Sequence, residues 1–436
     1  MPEARPFGGD ASAPPRPRAP WPLVFLAAAT VLLPAHPSLQ TLLHRVGIPA
    51  ALVSAACGFP VLCLLTLRPL VDRQAVLIAG FFGLYVLWMS LRALTSPAIG
   101  MPDQLASLRS LLVLMPLALS AALVASSNLP AAAGSVAFLG GIAVAHFSFL
   151  LLRGADSVVT SGGFRDLSGG DASANYQATS FYFGLVGAAL AVHGVHGGRV
   201  GRWIALAAML LLIGLMASVG ARASLVALVA VLLALLLLTG PVRTALFLMG
   251  ACVLAVAVVL SADALGILSI QTLTESLVAV QRFNMLLEGG DPSRRVGLFT
   301  AALRLWSDSP ITLVIGAGLG YFPLFLGMGN GWYPHNFVLE TLAEGGVVGL
   351  IPLVPVISMV LRRFTREARR GAGGPRYLGA LAVYAVLAYQ AMGGIESLWI
   401  PSFFMALFLF ATPSPETNHF AASLPYRRRN LPTPVT

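Results

Sequence analysis

The chain has 436 residues, of which 57% are hydrophobic and only 10% are charged. Its mean hydropathy of +0.83 is far above that of a soluble domain, which excludes an ordinary soluble enzyme or binding module. The net charge of +10 could indicate a nucleic-acid partner. The arginines, however, lie in short segments between apolar runs, so membrane topology explains them better and we expect no nucleic-acid partner.

Apolar runs of about 20 residues, long enough to cross a bilayer as helices, recur along most of the chain. We therefore predict an all-α polytopic membrane protein with about twelve transmembrane helices. The run at 21–33 follows a basic segment and could be a signal peptide, but we interpret it as an uncleaved first span. The predicted spans are 21–33, 47–67, 74–91, 107–125, 131–151, 177–195, 203–219, 223–239, 243–260, 337–361, 377–395 and 397–412.

These spans divide the chain into five parts. A disordered cytoplasmic tail at 1–20 precedes transmembrane helices 1–9 at 21–260, and a large loop with an amphipathic helix occupies 261–336. Transmembrane helices 10–12 at 337–412 lead to a second tail at 413–436. With the N-terminus inside, most of the arginines fall on cytoplasmic segments, as the positive-inside rule requires. Both termini are therefore predicted to be cytoplasmic, and both long loops lie on the outer side.

The cysteines give no sign of a disulfide framework or a metal site. Cys57, Cys63 and Cys252 fall inside predicted spans, with no paired spacing and no histidine near them in the sequence. Small apolar packing residues are the simplest interpretation. We expect neither a metal nor another cofactor.

Two outer segments are long enough to contribute to a site. Residues 152–176 include GGFRDLSGGDASANY, which contains Arg165. In the larger loop, residues 293–308 carry apolar side chains at helical spacing, which predicts an amphipathic helix on or near the membrane, with Arg294 and Arg295 at its start. These apolar side chains are Val296, Phe299, Leu303 and Trp306.

The glycine-rich sequence IGAGLGYF follows this helix at 315–322. A nucleotide-binding loop is one interpretation. Its glycine spacing is incomplete, however, no strand is predicted before it, and it faces away from the cytoplasm, where nucleotides are found. We favour a loop that packs under the neighbouring helix.

A group of polar residues opens the apolar segment YPHNFVLETLAEGGVVGL at 333–350. Pro334 cannot continue a helix backwards and Asn336 is a good N-cap, so the helix should begin at Phe337, with His335 just outside it. The positive end of the helix dipole disfavours an imidazolium, which leaves a neutral histidine able to accept a proton, and the free N–H groups suit a bound anion. The alternative is that these residues only cap the helix.

Two carboxylates follow on the same helix. Glu340 and Glu344 lie four residues apart and therefore share one face, which should point into the bundle because a carboxylate facing lipid is costly. They could pair with arginines, orient His335 or contact a sugar hydroxyl, and we favour the structural pairing.

Arg222 interrupts the apolar run 203–239, which is long enough for two spans joined by a tight outer turn. Its guanidinium would lie at the outer rim of the membrane, where it could bind a phosphate or simply snorkel. Several arginines on the same side as His335 would suit a diphosphate leaving group, whose charge must be neutralised.

Four segments resemble, in order and spacing, the signatures of the O-antigen ligase and O-antigen polymerase superfamily, with the ligase branch favoured. The resemblance covers residues from about 160 to about 355 and is most specific in its last two segments. The four segments are FRDLSGGDASANYQA, VGARASLVAL, RRVGLFTAALRLWSDSPITLVIGAGLGYF and PHNFVLETLAEGGVVGLIPL.

The resemblance implies a periplasmic glycosyltransferase of lipopolysaccharide biosynthesis in the bacterial inner membrane. Its donor would be O-antigen on undecaprenyl diphosphate, and its acceptor a sugar of the lipid A core or, in a polymerase, another lipid-linked repeat unit. Members of the ligase type are taken to be inverting and metal-independent. A lipid-glycan transporter is a further alternative, although the polar residues gather at one face rather than near the midplane, where transporters usually bind.

Carried over by position, the family histidine is His335, which the resemblance makes the general base. The family often has a tryptophan four residues after the arginine of the outer helix, whereas this chain has Phe299, so Arg294 is an alternative to Arg295. The expected substrate-binding residues are Arg222, Arg295, Arg294, Arg165, Asn336, Glu340 and Glu344.

Overall fold

A computed structural model describes residues 73–126, 172–219, 222–239, 295–328, 332–370 and 375–411. All regular secondary structure in these ranges is helical. The helices are α1 (Arg73–Leu94), α2 (Pro102–Arg109), α3 (Met115–Ser126), α4 (Ala172–His196), α5 (Arg199–Val219), α6 (Arg222–Thr239), α7 (Arg295–Ser307), α8 (Pro310–Ile315), α9 (Phe322–Phe325), α10 (Phe337–Leu350), α11 (Leu353–Arg370), α12 (Pro375–Tyr389) and α13 (Trp399–Phe410). A π-helical turn, Ser110–Leu114, joins α2 to α3, and a 3-10 turn, Ile395–Ser397, precedes α13.

The all-α prediction is confirmed for the described ranges. Three stretches in them are long and apolar enough to cross a membrane, namely Gln74–Leu94, Pro102–Leu123 and Arg222–Thr239, and a bent pair of helices could supply a fourth. The total of twelve spans and the five-part division stay predictions. The predicted spans 21–33, 47–67, 131–151 and 243–260, and with them Cys57, Cys63 and Cys252, lie outside the described residues.

The helix predicted at 337–361 is bent rather than continuous. The axes of α10 and α11 differ by 87°. Gly346, inside α10, has φ 67° and ψ −170°, which interrupts the helical backbone, and Pro352 between the two helices has no N–H to donate. Sequence hydropathy does not register such a break because the residues on both sides of it, up to Leu361, are apolar.

Aromatic packing holds α4, α12 and α13 together. The ring of Phe181 lies 5.5 Å from that of Tyr384, 5.2 Å from Tyr389 and 6.1 Å from Phe404, between centroids. A Cβ atom at Gly184 would lie 1.8 Å from the Tyr384 hydroxyl oxygen. The close approach of α4 to α12 therefore requires a residue without a side chain.

The amphipathic helix predicted at 293–308 is present as α7, but its buried face is not the predicted one. Val296 and Leu303 of the predicted stripe are 60% and 44% exposed. α7 is apolar on two faces, and the second one packs on α9 and α10, through Phe322 and Ala343. The buried residues of that face are Leu298, Ala302 and Leu305. The contact of α7 with a membrane stays a prediction.

Candidate functional site

The start of α10 has the predicted capping arrangement. α10 begins at Phe337, and Asn336 is its N-cap in an extended conformation. The Asn336 Oδ1 accepts hydrogen bonds from the backbone N–H groups of Val338 and Leu339, at 3.0 and 2.9 Å. His335 therefore lies just outside the helix, as its sequence context indicates.

The backbone at His335 adopts an unusual conformation. Its φ of +55° is the only positive φ at a non-glycine residue in the described ranges. This left-handed conformation costs about 1–2 kcal/mol for a residue with a Cβ, and such strain persists only where the surrounding structure enforces it. It places the imidazole against the Tyr333 ring, with a distance of 4.2 Å between the centroids.

The imidazole of His335 is held in its neutral form. Burial, and secondarily the positive charge of Arg295, lower the pKa of His335 to about 4. Its Nδ1 is buried without a hydrogen-bond partner among the described residues. The neutral state expected from the sequence is thus favoured, and its causes are desolvation and the charge of Arg295, an arginine that is remote in the sequence.

Arg295, forty positions earlier in the sequence, lies close enough to His335 to lower its pKa. Arg295 is the first residue of α7 and is half-buried. The apolar face of α7 packs on Ala343 of α10, the helix that starts beside His335. Of the other predicted arginines, Arg294 and Arg165 lie outside the described residues.

Arg222 lies at the end of the bundle where α10 starts, the end that carries His335. It is the first residue of α6, three positions after the end of α5 at Val219, as the predicted tight turn requires. Two positions on, the Ser224 hydroxyl is 3.7 Å from the sulfur of Met392. The Met392 carbonyl in turn accepts a hydrogen bond of 3.5 Å from the Tyr333 hydroxyl, beside His335. This chain of contacts connects the start of α6 with the start of α10.

Glu340 and Glu344 point into the bundle as predicted and are only 6% and 1% exposed. The expected arginine partners are not what the described residues provide. Glu340 accepts a hydrogen bond of 2.9 Å from the backbone N–H of Ile395. The two Glu344 oxygens accept hydrogen bonds from the backbone N–H groups of Gly320 and Phe322, at 2.9 and 3.2 Å. Neutral main-chain donors from tight turns thus satisfy both carboxyl groups.

The glycine-rich turn at 316–322 is a packing loop, as favoured from the sequence, but the helix against which it packs is α10. Its Ala317 and Gly318 N–H groups donate to the Ala343 and Glu344 carbonyls, at 2.8 and 3.0 Å. A Cβ at Gly316 would lie 2.3 Å from the Glu344 backbone, and one at Gly346 would lie 2.3 Å from the Val314 carbonyl. The turn is interlocked with the break in α10, and its amides bind Glu344, which leaves the nucleotide-loop interpretation without support.

Sequence reasoning did not single out Arg92, at the end of α1. This side chain is 9% exposed, and its Nη2 donates a hydrogen bond of 2.9 Å to the Gly316 carbonyl. Trp88, one turn earlier, donates from Nε1 to the Gly345 carbonyl at 2.8 Å. Both residues hold the interlocked turn in place. A basic residue at the end of an apolar span is usually a snorkelling side chain, so the sequence carries no distinct signal for this role.

Residues 204–354 match the family model described as O-antigen ligase. A search of curated proteins finds no match. The matched segment includes Arg222, Arg295 and His335, and it begins after Arg165. It does not distinguish the ligase branch from the polymerase branch. Over residues 204–354 the chain is therefore similar to the O-antigen ligase and polymerase superfamily, whose members are membrane-integral glycosyl-transfer enzymes.

Proposed function

We propose that the protein is an O-antigen ligase of the bacterial inner membrane. It moves O-antigen glycan from undecaprenyl diphosphate to a sugar of the lipid A core, at a site that faces the periplasm. The observation that carries the proposal is the state of His335: a buried imidazole at the capped start of α10, its Nδ1 without a partner among the described residues and its pKa lowered in part by the charge of Arg295. A base beside a fixed positive charge suits a reaction that removes a proton and releases a diphosphate.

In this mechanism His335 takes the proton of the acceptor hydroxyl while that oxygen attacks the anomeric carbon of the donor. A carbon–oxygen bond to the acceptor forms as the bond to the diphosphate breaks. The departing diphosphate keeps the electron pair, and Arg222 and Arg295 stabilise its charge. A single displacement of this kind inverts the anomeric configuration and needs no metal.

A pKa of about 4 makes His335 a weak base in the free protein. Binding of the donor makes it a stronger base. A diphosphate bound at Arg295 offsets the positive charge that helps to lower the pKa, so the pKa of His335 rises when the donor is present. Base catalysis contributes about 10²- to 10⁴-fold. Substrate positioning and charge stabilisation supply the remainder.

The outward orientation of the site rests on topology. With both termini in the cytoplasm, the arginine-rich end of α11 is also cytoplasmic, as the positive-inside rule favours. The start of α10 is then at the opposite side of the membrane. Arg165, Arg294, Asn336, Glu340 and Glu344 remain proposed contributors to substrate binding, and Asn336 acts at least by capping α10.

The test supplies purified protein with a lipid-linked O-antigen donor and either lipid A-core or a second lipid-linked repeat unit. We expect glycan to appear on lipid A-core. Growth of the lipid-linked glycan alone would identify a polymerase, and absence of any product in detergent, where no membrane sidedness exists, would favour a transporter.

The same assay tests the base. His335→Ala should lower the rate of transfer by about 10²-fold or more, because the proton acceptor is lost. His196→Ala is the matched control, since His196 is exposed at the far end of α4, and it should leave transfer unchanged. Near-normal transfer by the His335→Ala variant would refute the assigned role.

A further inference from the structure

We infer that Glu344 is a positioning residue for the transfer reaction: its carboxyl group holds the glycine-rich turn at 316–322 and thereby fixes Arg295 relative to His335. The inference rests on the proposed function, because it concerns the geometry of the base and the diphosphate-binding arginine. The structural basis is a continuous set of contacts from α10 through the turn to α7.

The first contact is the carboxyl group itself. Glu344 is 1% exposed, and each of its two oxygens accepts a backbone N–H, from Gly320 and from Phe322. Because both oxygens of one side chain are bound, the carboxyl group fixes two backbone amides of the turn at once. Glu344 thus occupies the group of converging amides that the glycine-rich turn forms.

The second contact runs from the turn to α7. Phe322, whose N–H is bound by Glu344, is 0% exposed. Its side chain belongs to the small apolar cluster that packs α7 on α10, together with Leu298, Ala302, Leu305 and Ala343. Arg295 lies one turn before Leu298 on α7. Displacement of Phe322 would therefore change how α7, the helix that carries Arg295, packs on α10.

The first half of the turn is held independently of the Glu344 side chain. Its Ala317 and Gly318 amides donate to main-chain carbonyls of α10, and Arg92 donates to the Gly316 carbonyl. Loss of the Glu344 carboxylate should therefore release the second half of the turn without detaching the whole loop. Because a misplacement of about 1 Å can cost about 10²-fold in rate, this local release is enough to affect transfer.

The test is a double-mutant cycle of Glu344→Gln with Arg295→Ala, read out as donor and acceptor kinetics. In Gln one acceptor oxygen becomes an NH₂ group that faces a backbone N–H. We expect Glu344→Gln to raise the KM of the donor about tenfold and to leave the KM of the acceptor unchanged. In the Arg295→Ala background it should add less than about twofold, since residues that act through one another are not additive.

Glu340→Gln is the matched control. Glu340 is buried on the same face of α10, but its oxygen binds Ile395 rather than the glycine-rich turn. Its effect should multiply with that of Arg295→Ala. If Glu344→Gln raised the KM of the donor by the same factor with and without Arg295→Ala, as the control should, the inference would be overturned.

A pH profile separates positioning from simple loss of charge. Removal of a nearby anion by itself would lower the pKa of His335, whereas displacement of Arg295 raises it. We expect the acid limb of kcat/KM to move to higher pH in Glu344→Gln, as in Arg295→Ala. A shift to lower pH, or no shift, would count against the inference.

Glu344→Asp keeps the carboxylate but shortens its reach by one methylene, and it serves where the glutamine variant does not fold. Failure of both variants to fold would overturn the inference, because the carboxylate would then serve the fold as a whole. If His335→Ala and Arg295→Ala transfer glycan normally, the proposed function itself fails. If they are impaired and Glu344→Gln is simply multiplicative, only the positioning role fails.

Discussion

At His335, both the backbone and the side chain are held in states that a free residue avoids. The backbone is left-handed, and the ring nitrogen Nδ1 is buried without a described partner. The cap at Asn336 and the contact with Tyr333 hold this conformation in place. A strained, desolvated histidine within the electrostatic reach of an arginine is typical of a functional position rather than of a residue that only begins a helix.

The lowered pKa of His335 leads to a prediction about pH. The residue is neutral at pH 7 and becomes protonated as the pH falls through about 4. In pH–rate measurements, kcat/KM should therefore be lost as the pH falls through about 4, and the acid limb of kcat should lie higher because the bound diphosphate offsets Arg295.

Arg295→Ala should raise the pKa of His335 and move the acid limb upward. The acid limb of kcat/KM should stay below pH 6.5, because burial is the larger cause of the lowered pKa of His335. Arg295→Lys keeps the charge and is the matched control. An acid limb of kcat/KM near 6.5 in the unaltered protein would contradict the lowered pKa of His335.

The lowered pKa of His335 also affects stability. By linkage, it makes the folded state less stable as the pH falls from about 6.5 to about 4, since the unfolded chain binds the proton first.

Among the elements, α10 is the one on which the site depends. Its N-terminal end is capped beside His335, and its break at Gly346 frees carbonyl groups that receive the glycine-rich turn. The turn and the break fit each other only because Gly316 and Gly346 have no side chains. The broken helix is therefore the point at which the glycine-rich turn docks on α10.

Gly346→Ala should destabilise the protein strongly. The new Cβ would meet the Val314 carbonyl oxygen at 2.3 Å, and φ is +67°. We expect a loss of about 3 kcal/mol or more in the free energy of unfolding, from the left-handed strain together with the steric clash.

Gly100→Ala isolates the strain from the clash, because φ is +79° but nothing lies within 4 Å of the new Cβ. It should cost only about 1–2 kcal/mol. Thermal unfolding of the purified variants checks both values. Equal shifts in Tm would show that the interlocking of turn and helix contributes nothing.

At the scale of the whole molecule, the charged residues are distributed unevenly between the two ends of the bundle. The end of α11 carries a run of arginines, among them Arg366 and Arg369, which are exposed. The topology predicted from the sequence puts His335 and the first residues of α6 and α7 on the other side of the membrane. This distribution predicts that the proposed active site faces the periplasm.

Cysteine labelling in intact spheroplasts tests this orientation. After replacement of the native cysteines, a cysteine at the exposed Asp308, in the outer loop, should react with a membrane-impermeant maleimide. A cysteine at Arg369 should react only after lysis. The reverse pattern would contradict the orientation and with it a periplasmic site.

Local features were predictable because short-range chemistry determines them. The start of α10 at Phe337 follows from a proline, a capping side chain and the apolar run after them, all within a few residues. The all-helical class follows from the need to satisfy every backbone polar group inside a membrane. The family was likewise recognisable from linear segments, one of which contains His335.

Only the tertiary structure determines which groups donate hydrogen bonds to the two buried carboxyl groups of α10. Glu344 is satisfied by amides that lie 22 and 24 residues earlier in the chain, and Glu340 by one that lies 55 residues later. No periodicity in the sequence of α10 encodes those distances, so the sequence favoured arginine pairing and did not predict the backbone donors. The contribution of Arg295 to the neutral state of His335 is of the same kind. A charge influences its neighbours in space, and only the packing of α7 on α10 makes these two residues neighbours.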